Sequence, residues 1–177
     1  SRPRPRPSPE MAEGAPIESA SGALAAVMNA GRATLACAES CTGGLASAAI
    51  SAIAGASSFF LGCVVSYSNE AKRGLLGVDE GILAAFGAVS EETALAMARG
   101  AAAAFGSDFA FSITGVAGPG GGSDEKPVGT VCFGYVSPAA ASAERLFFHG
   151  DRSEIRTAAA THALRRIAEI ADAYDRA

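Results

Sequence analysis

The stretch Ala38-Glu39-Ser40-Cys41-Thr42-Gly43-Gly44 has the make-up of a reactive turn. It follows an apolar run and precedes a helical pattern, so its small residues stand where a strand hands over to a helix. A sharp bend there exposes a hydroxyl, and the unpaired N–H groups of a helix start can hold an oxyanion or a phosphate. Ser40 is the candidate nucleophile. The competing reading makes Ser40 or Thr42 an ordinary helix cap. Cys41 is a rival nucleophile, but no histidine flanks it. The glycine pair matches neither a Walker loop nor the dinucleotide fingerprint, and the serine lacks the GxSxG elbow.

A serine nucleophile needs a group to take its proton. His149 falls at a strand end and His162 inside a helical pattern, where both read as structural. The chain has two lysines, Lys72 and Lys126, each in a loop or helix start that follows a strand. Lysine serves as a base only where burial or nearby positive charge lowers its pKa; otherwise it is a solvated surface cation. Ser40-Cys41-Thr42-Gly43 is not an SxxK pattern, so any serine–lysine pair must be assembled by the fold. Tyr67-Ser68-Asn69-Glu70-Ala71-Lys72 closes the strongest strand candidate. Its Tyr67 either relays a proton or holds the serine–lysine geometry, or is an ordinary strand aromatic. The loop from Gly115 to Lys126 has many free N–H groups suited to wrapping an anion or a ring. Arg152, in Gly150-Asp151-Arg152 at a helix start, meets a phosphate or lies on the surface.

The elements that must position these residues are legible from periodicity. Ile17, Ala20, Leu24, Val27 and Met28 share a face of a helix predicted over Ile17 to Ala30, stopped by Gly31. Strands are predicted at Ala33–Ala38, Phe59–Tyr67, Phe109–Thr114, Val128–Val136 and Arg145–His149, the last two as a hairpin across Pro138–Ala143. Helices are predicted at Gly43–Ala54, Asn69–Leu76, Asp79–Phe86 and Ser90–Phe105, with Ser90 as N-cap. A final helix starts at Asp151 with Glu154 in capping-box position and runs to about Tyr174. Strands and helices alternate early and two strands sit together late. This predicts an α/β fold, a three-layer α/β/α sandwich with a mixed sheet. Sites in such sheets form where strand ends give way to loops and helix starts, which selects Glu39–Gly44, Tyr67–Lys72 and Gly115–Lys126.

Composition sets the outer bounds. Hydrophobic residues are 49% and charged residues 18% of the chain, as in a globular domain. One domain is expected over residues 15–177, after a disordered arm or appended remnant over 1–14, with Met11 a candidate natural start. The formal net charge is −4, yet the first nine residues hold three arginines and no acid. The remainder carries 11 basic and 18 acidic residues, a net −7 that lacks the general attraction to phosphate backbones nucleic-acid binding relies on. No apolar run is long enough for a membrane span. Cys37, Cys41, Cys63 and Cys132 have no CxxC spacing and only two histidines accompany them, so no zinc or other metal site and no cofactor is expected. Reduced, mostly buried cysteines point to the cytoplasm.

Taken together the segments resemble the CinA carboxy-terminal family, whose stand-alone members include the PncC-type nicotinamide mononucleotide deamidases. The matching stretches, in family order, are residues 38–44, Val65-Ser66-Tyr67-Ser68-Asn69-Glu70-Ala71-Lys72, Gly87-Ala88-Val89-Ser90, Thr114-Gly115-Val116-Ala117-Gly118-Pro119, Lys126-Pro127-Val128-Gly129-Thr130-Val131 and Gly150-Asp151-Arg152. They cover roughly Ile17 to Ala173; each is weak alone, and the ordered set is specific. The resemblance implies hydrolysis of nicotinamide mononucleotide to nicotinic acid mononucleotide and ammonia. It implies Ser40 and Lys72 as the catalytic pair with Tyr67 between them. Glu39, Cys41, Thr42, Gly43, Gly44, Asn69, Thr114, Gly115, Gly118 and Arg152 are then expected around the substrate. A homo-oligomer, a dimer first, is expected from the relatives. The alternative is a non-catalytic nucleotide-binding or interaction module, for which an intact Ser40, Tyr67 and Lys72 would have no use.

Overall fold

The structure is a computed structural model that describes residues 6–7 and 16–176. The chain runs through β1 (Arg6–Pro7), α1 (Ile17–Gly31), β2 (Leu35–Glu39), α2 (Leu45–Ser51), a 3₁₀ turn at Ala56–Ser58 and β3 (Phe60–Val65). It continues through α3 (Asn69–Leu76), α4 (Glu80–Phe86), α5 (Glu91–Phe105), β4 (Phe109–Gly115), β5 (Thr130–Val136), β6 (Ala141–Phe147) and α6 (Arg152–Asp175). The sheet order is β1-β6-β5-β4-β2-β3. β2 is parallel to both β3 and β4, while β4–β5 and β5–β6 are antiparallel. Of the arm expected over 1–14, Arg6 and Pro7 pair in parallel with Leu146 and Phe147. The rest of that expectation lies outside the described residues.

Alternation along the central strands explains the three layers. Leu35 and Cys37 of β2 and Phe109, Phe111 and Ile113 of β4 face one side, where they pack with Leu24 and Met28 of α1, Ile50 of α2 and Leu164 and Ile167 of α6. Ala36, Ala38 and Ala110 face the other side, against Leu76 of α3 and Met97 and Ala101 of α5. Every side chain of β2 is buried, as expected of a parallel strand covered on both faces. Small residues on the second face let α5 come close. Gly134 of β5 is the tightest point, since a Cβ there would sit 2.3 Å from the Ala94 carbonyl oxygen. Gly134→Ala should therefore push α5 off the sheet and cost about 2–3 kcal/mol, read as a lower urea midpoint at unchanged m-value.

Two elements differ most from their predicted bounds. The final strand begins at Ala141, not Arg145, because Ser137 closes the hairpin in fewer residues. Its N–H donates to Ala140 O at 2.8 Å and its hydroxyl accepts from Ala140 N at 3.1 Å, so Ala141 already pairs with Val136. Helix α2 begins at Leu45 and ends at Ser51, inside the predicted Gly43–Ala54. Gly43 and Gly44 adopt φ of 61° and 99°, left-handed values that keep them out of the helix.

Candidate active site

The three segments selected from the sequence converge at the carboxyl end of the parallel strands. β2 delivers Ser40, and the chain leaving β3 delivers Ser66, Tyr67 and, one helical turn into α3, Lys72. Backbone pairing continues just past the strands: Ser40 N–H donates to Ile113 O at 2.9 Å and Ser66 N–H to Glu39 O at 2.8 Å. Both turns are thus registered to the sheet before any side chain acts. Ser68 caps α3 by accepting from Ala71 N–H at 3.0 Å, which sets the helix phase that turns Lys72 inward.

Lys72 is 1% exposed, and its Nζ lies 3.1 Å from Ser40 Oγ and 2.9 Å from the Ser66 carbonyl. Removal from water disfavours the ammonium, so burial holds the amine below its ordinary pKa of 10.5, with the Cys41 thiolate form opposing weakly. The Ser66 carbonyl takes one amine proton, and the nitrogen faces the serine hydroxyl. This is the arrangement a serine general base requires.

A pocket of about 230 Å³ opens on this pair. Cys41, Tyr67, Asn69, Thr114, Gly115 and Arg152 line it as expected, and Ala88, Val89 and Ala117 complete its wall. Those three apolar residues fall in stretches that carry the family resemblance, but with no chemical signal of their own they were not expected as substrate contacts. Thr114 Oγ1 donates to Ala88 O at 2.8 Å and so fixes that wall to β4. Arg152 reaches across the mouth, donating to Gly118 O at 2.6 Å and to the Tyr67 hydroxyl at 3.0 Å. Asp151 and Glu154 form the expected capping box, which holds this first turn of α6 in place. Among the described lining residues there are two basic side chains, Lys72 and Arg152, and no carboxylate.

Several expected roles change. Tyr67 is 63% exposed with its hydroxyl engaged by Arg152, and Lys72 reaches Ser40 Oγ directly, so Tyr67 stands at the pocket rim and not between the pair. Glu39 does not face the pocket; it is fully buried. Its Oε2 accepts from Gly44 N–H at 3.0 Å and Ala46 N–H at 3.2 Å, and its Oε1 from Ser47 N–H at 2.8 Å. A carboxylate on the start of α2 answers three amides and the helix dipole together. Neither Ser40 nor Thr42 caps that helix; its N-cap is Gly44 without a side-chain bond, and Thr42 Oγ1 is buried without a partner. Gly43 and Gly44 shape the turn, and Gly118 contributes its carbonyl to Arg152. Glu39→Ala should leave three amides without acceptors and destabilise the domain by about 3 kcal/mol, seen as a lower Tm with the sheet still formed at low temperature.

The other candidates resolve by position. Lys126 Nζ donates to Phe86 O at 2.6 Å, away from Ser40. His162 Nε2 lies 2.7 Å from Glu144 Oε1 and packs on Phe133, while His149 packs edge-on to Phe147. Cys41 lines the pocket, but burial pushes its thiol up to about 12, which keeps it protonated and a poor nucleophile. One contributor carried no motif. Arg156, a turn into α6, donates through Nε to Cys41 O at 3.1 Å and through Nη2 to Thr42 O at 2.8 Å, clamping the turn beside the serine.

A "CinA-like protein" of Geobacter metallireducens is 53% identical over 131 residues, 74% of this chain and 32% of that protein. The chain thus spans about a third of the length of the curated relatives it matches. Among solved structures, the competence damage-inducible protein A (ComA) of Klebsiella pneumoniae superposes with a TM-score of 0.84 at 36% identity, covering 87% of this chain and 96% of that one. The competence/damage inducible protein CihA of Agrobacterium tumefaciens gives 0.83 at 40% identity, covering 87% and 94%. The family model for the CinA C-terminal domain matches residues 17–171, nearly the whole of the domain, and the chain belongs to the CinA C-terminal domain family.

Proposed function

We propose that this domain is an amidohydrolase that converts nicotinamide mononucleotide to nicotinic acid mononucleotide and ammonia through a seryl intermediate. The observation that carries the reading is the buried Lys72 amine, 3.1 Å from Ser40 Oγ and lowered in pKa by its burial. Neutral Lys72 takes the Ser40 proton as Oγ attacks the carboxamide carbon. The oxyanion meets the amide N–H of Cys41, which lines the pocket and has no backbone acceptor among the described residues, whereas Gly43 N–H is spent on Ser40 O and Gly44 N–H on Glu39. Lys72 returns its proton to the leaving ammonia, and water then releases the acid from Ser40. No step calls for a metal.

The substrate class follows from the rest of the pocket. Arg152 at the mouth has neutral partners only among the described residues, which leaves its charge for a phosphate, and the small walls of Ala88, Val89 and Ala117 suit a flat ring. Ammonia release measured over nicotinamide mononucleotide, nicotinamide riboside, NAD and free nicotinamide tests the proposal. The mononucleotide should lead the series by at least about tenfold in kcat/KM; release from none of the four would leave a binding module instead. No helix of the described residues is long and apolar enough to cross a membrane. The domain is proposed to act in the cytoplasm as a homodimer, a state supported by the exposed Leu61 and Val65 on the edge strand β3.

A further inference from the structure

The absence of any metal-ligand spacing in the sequence holds along the chain but not across the sheet. Cys37 of β2 and Cys63 of β3 are register partners on adjacent parallel strands, and Glu39 lies two residues on, on the same face. The two sulfurs and a Glu39 carboxylate oxygen all lie within 4.8 Å of one another. The Cys63 thiol already points its proton at Glu39 Oε1, with Sγ and Oε1 3.7 Å apart. We infer that Cys37, Cys63 and Glu39 form a binding site for one thiophilic divalent cation of the zinc class, apart from the catalytic pocket.

Four features of the cluster fit such an ion. A tetrahedral zinc centre with ordinary bond lengths needs about 3.5 Å between a sulfur and an oxygen ligand and about 3.8 Å between two sulfurs. The 3.7 Å already present is close to the first, and with the other separations within 4.8 Å, closing the site needs side-chain movements of about 1 Å. Two thiolates and a carboxylate are the soft-dominated donor set that favours zinc or cadmium over magnesium or calcium. Glu39 is oriented by the amides of Gly44, Ala46 and Ser47, the outer support that metal-binding carboxylates require. Those three donors also offset the extra negative charge of a three-anion site. Finally, Cys37 is fully buried while Cys63 is partly exposed on the edge strand, which provides an entry path. On binding, the Cys37 and Cys63 S–H protons pass to solvent, two metal–sulfur bonds form, and Glu39 Oε1 exchanges the thiol proton for the ion. The ion would tie β2 to the edge strand immediately before the Ser40 turn.

The test uses the whole chain, reduced and freed of metal, titrated with cadmium and then with zinc as competitor. The expected result is a thiolate-to-cadmium charge-transfer band that saturates at a single equivalent and is displaced by zinc, with one ion per chain in native mass spectrometry. Cys41→Ala and Cys132→Ala should keep the band. Cys37→Val and Cys63→Val should lose it, and Cys63→Ser, which keeps a hydroxyl for Glu39, guards against a folding defect by retaining the wild-type circular dichroism while losing the band. A band that survives in the Cys63 variants, a wild-type chain that shows none, or a loss of two hydrogens to a Cys37–Cys63 disulfide in place of metal would each overturn the inference. None of these readouts involves amide hydrolysis, so the outcome is separate from that of the proposed activity.

Discussion

Ser40→Ala is expected to lower kcat for ammonia release by at least about 10³-fold while leaving the fold unchanged. The hydroxyl is the side-chain oxygen that Lys72 Nζ meets among the described residues, and removing a covalent nucleophile from such a pair forfeits the whole proposed acylation route. Binding should survive, because Arg152 and the pocket wall do not depend on the hydroxyl. The variant should therefore still bind nicotinamide mononucleotide with a Kd near the wild-type KM. Cys41→Ala is the matched control and should keep the larger part of the activity, since burial holds that thiol protonated with a pKa of about 12. Full turnover in Ser40→Ala, or a folded but inactive Cys41→Ala, would transfer the nucleophile to the neighbouring sulfur.

Lys72→Met is the second large effect, and its pH dependence carries the mechanism. The proposed reaction uses the neutral amine. Lys72 has a pKa below the ordinary 10.5 in the folded protein, so the active form is populated as pH rises through that lowered value. Wild-type kcat should rise on this limb and fall as acid protonates the amine. Lys72→Met should lose at least about 10³-fold and the limb with it, and Lys72→Arg, charged at every accessible pH, should be no better. Stability moves in the same direction. The unfolded chain binds the lysine proton more tightly than the folded one, so between the lowered and the ordinary pKa the wild type gains stability as pH rises. Urea midpoints of wild type and Lys72→Met measured from neutral pH upward should therefore move in favour of the wild type. A pH-independent difference would mean that Lys72 titrates as an ordinary surface amine and is no base.

Much of this was readable from residue order. Ser90, Asp151 and Glu154 announced their helix starts because capping depends on residues three apart, and the structure has all of these contacts. The central strands were readable because burial on both faces leaves apolar runs. The strand at Ala141 was not, because its small residues are held by pairing with β5 and not by their own propensity. In the site, Ser40 and Lys72 stood out by type. Their 3.1 Å separation did not, since they stand 32 positions apart in sequence. Glu39 and Arg156 show the same boundary from opposite sides. The acid beside the serine looked like a substrate contact and is a helix cap, while the arginine that clamps the turn had no motif at all.

By itself the sequence determined the element types, the three-layer mixed sheet and the reactive side chains, because periodicity, caps and turn residues act over a few positions. Tertiary structure alone decided which lysine meets the serine, that Tyr67 sits at the rim under Arg152, and that two cysteines from different strands share a face. Those outcomes depend on strand register and on burial, and both are set by contacts between segments far apart along the chain.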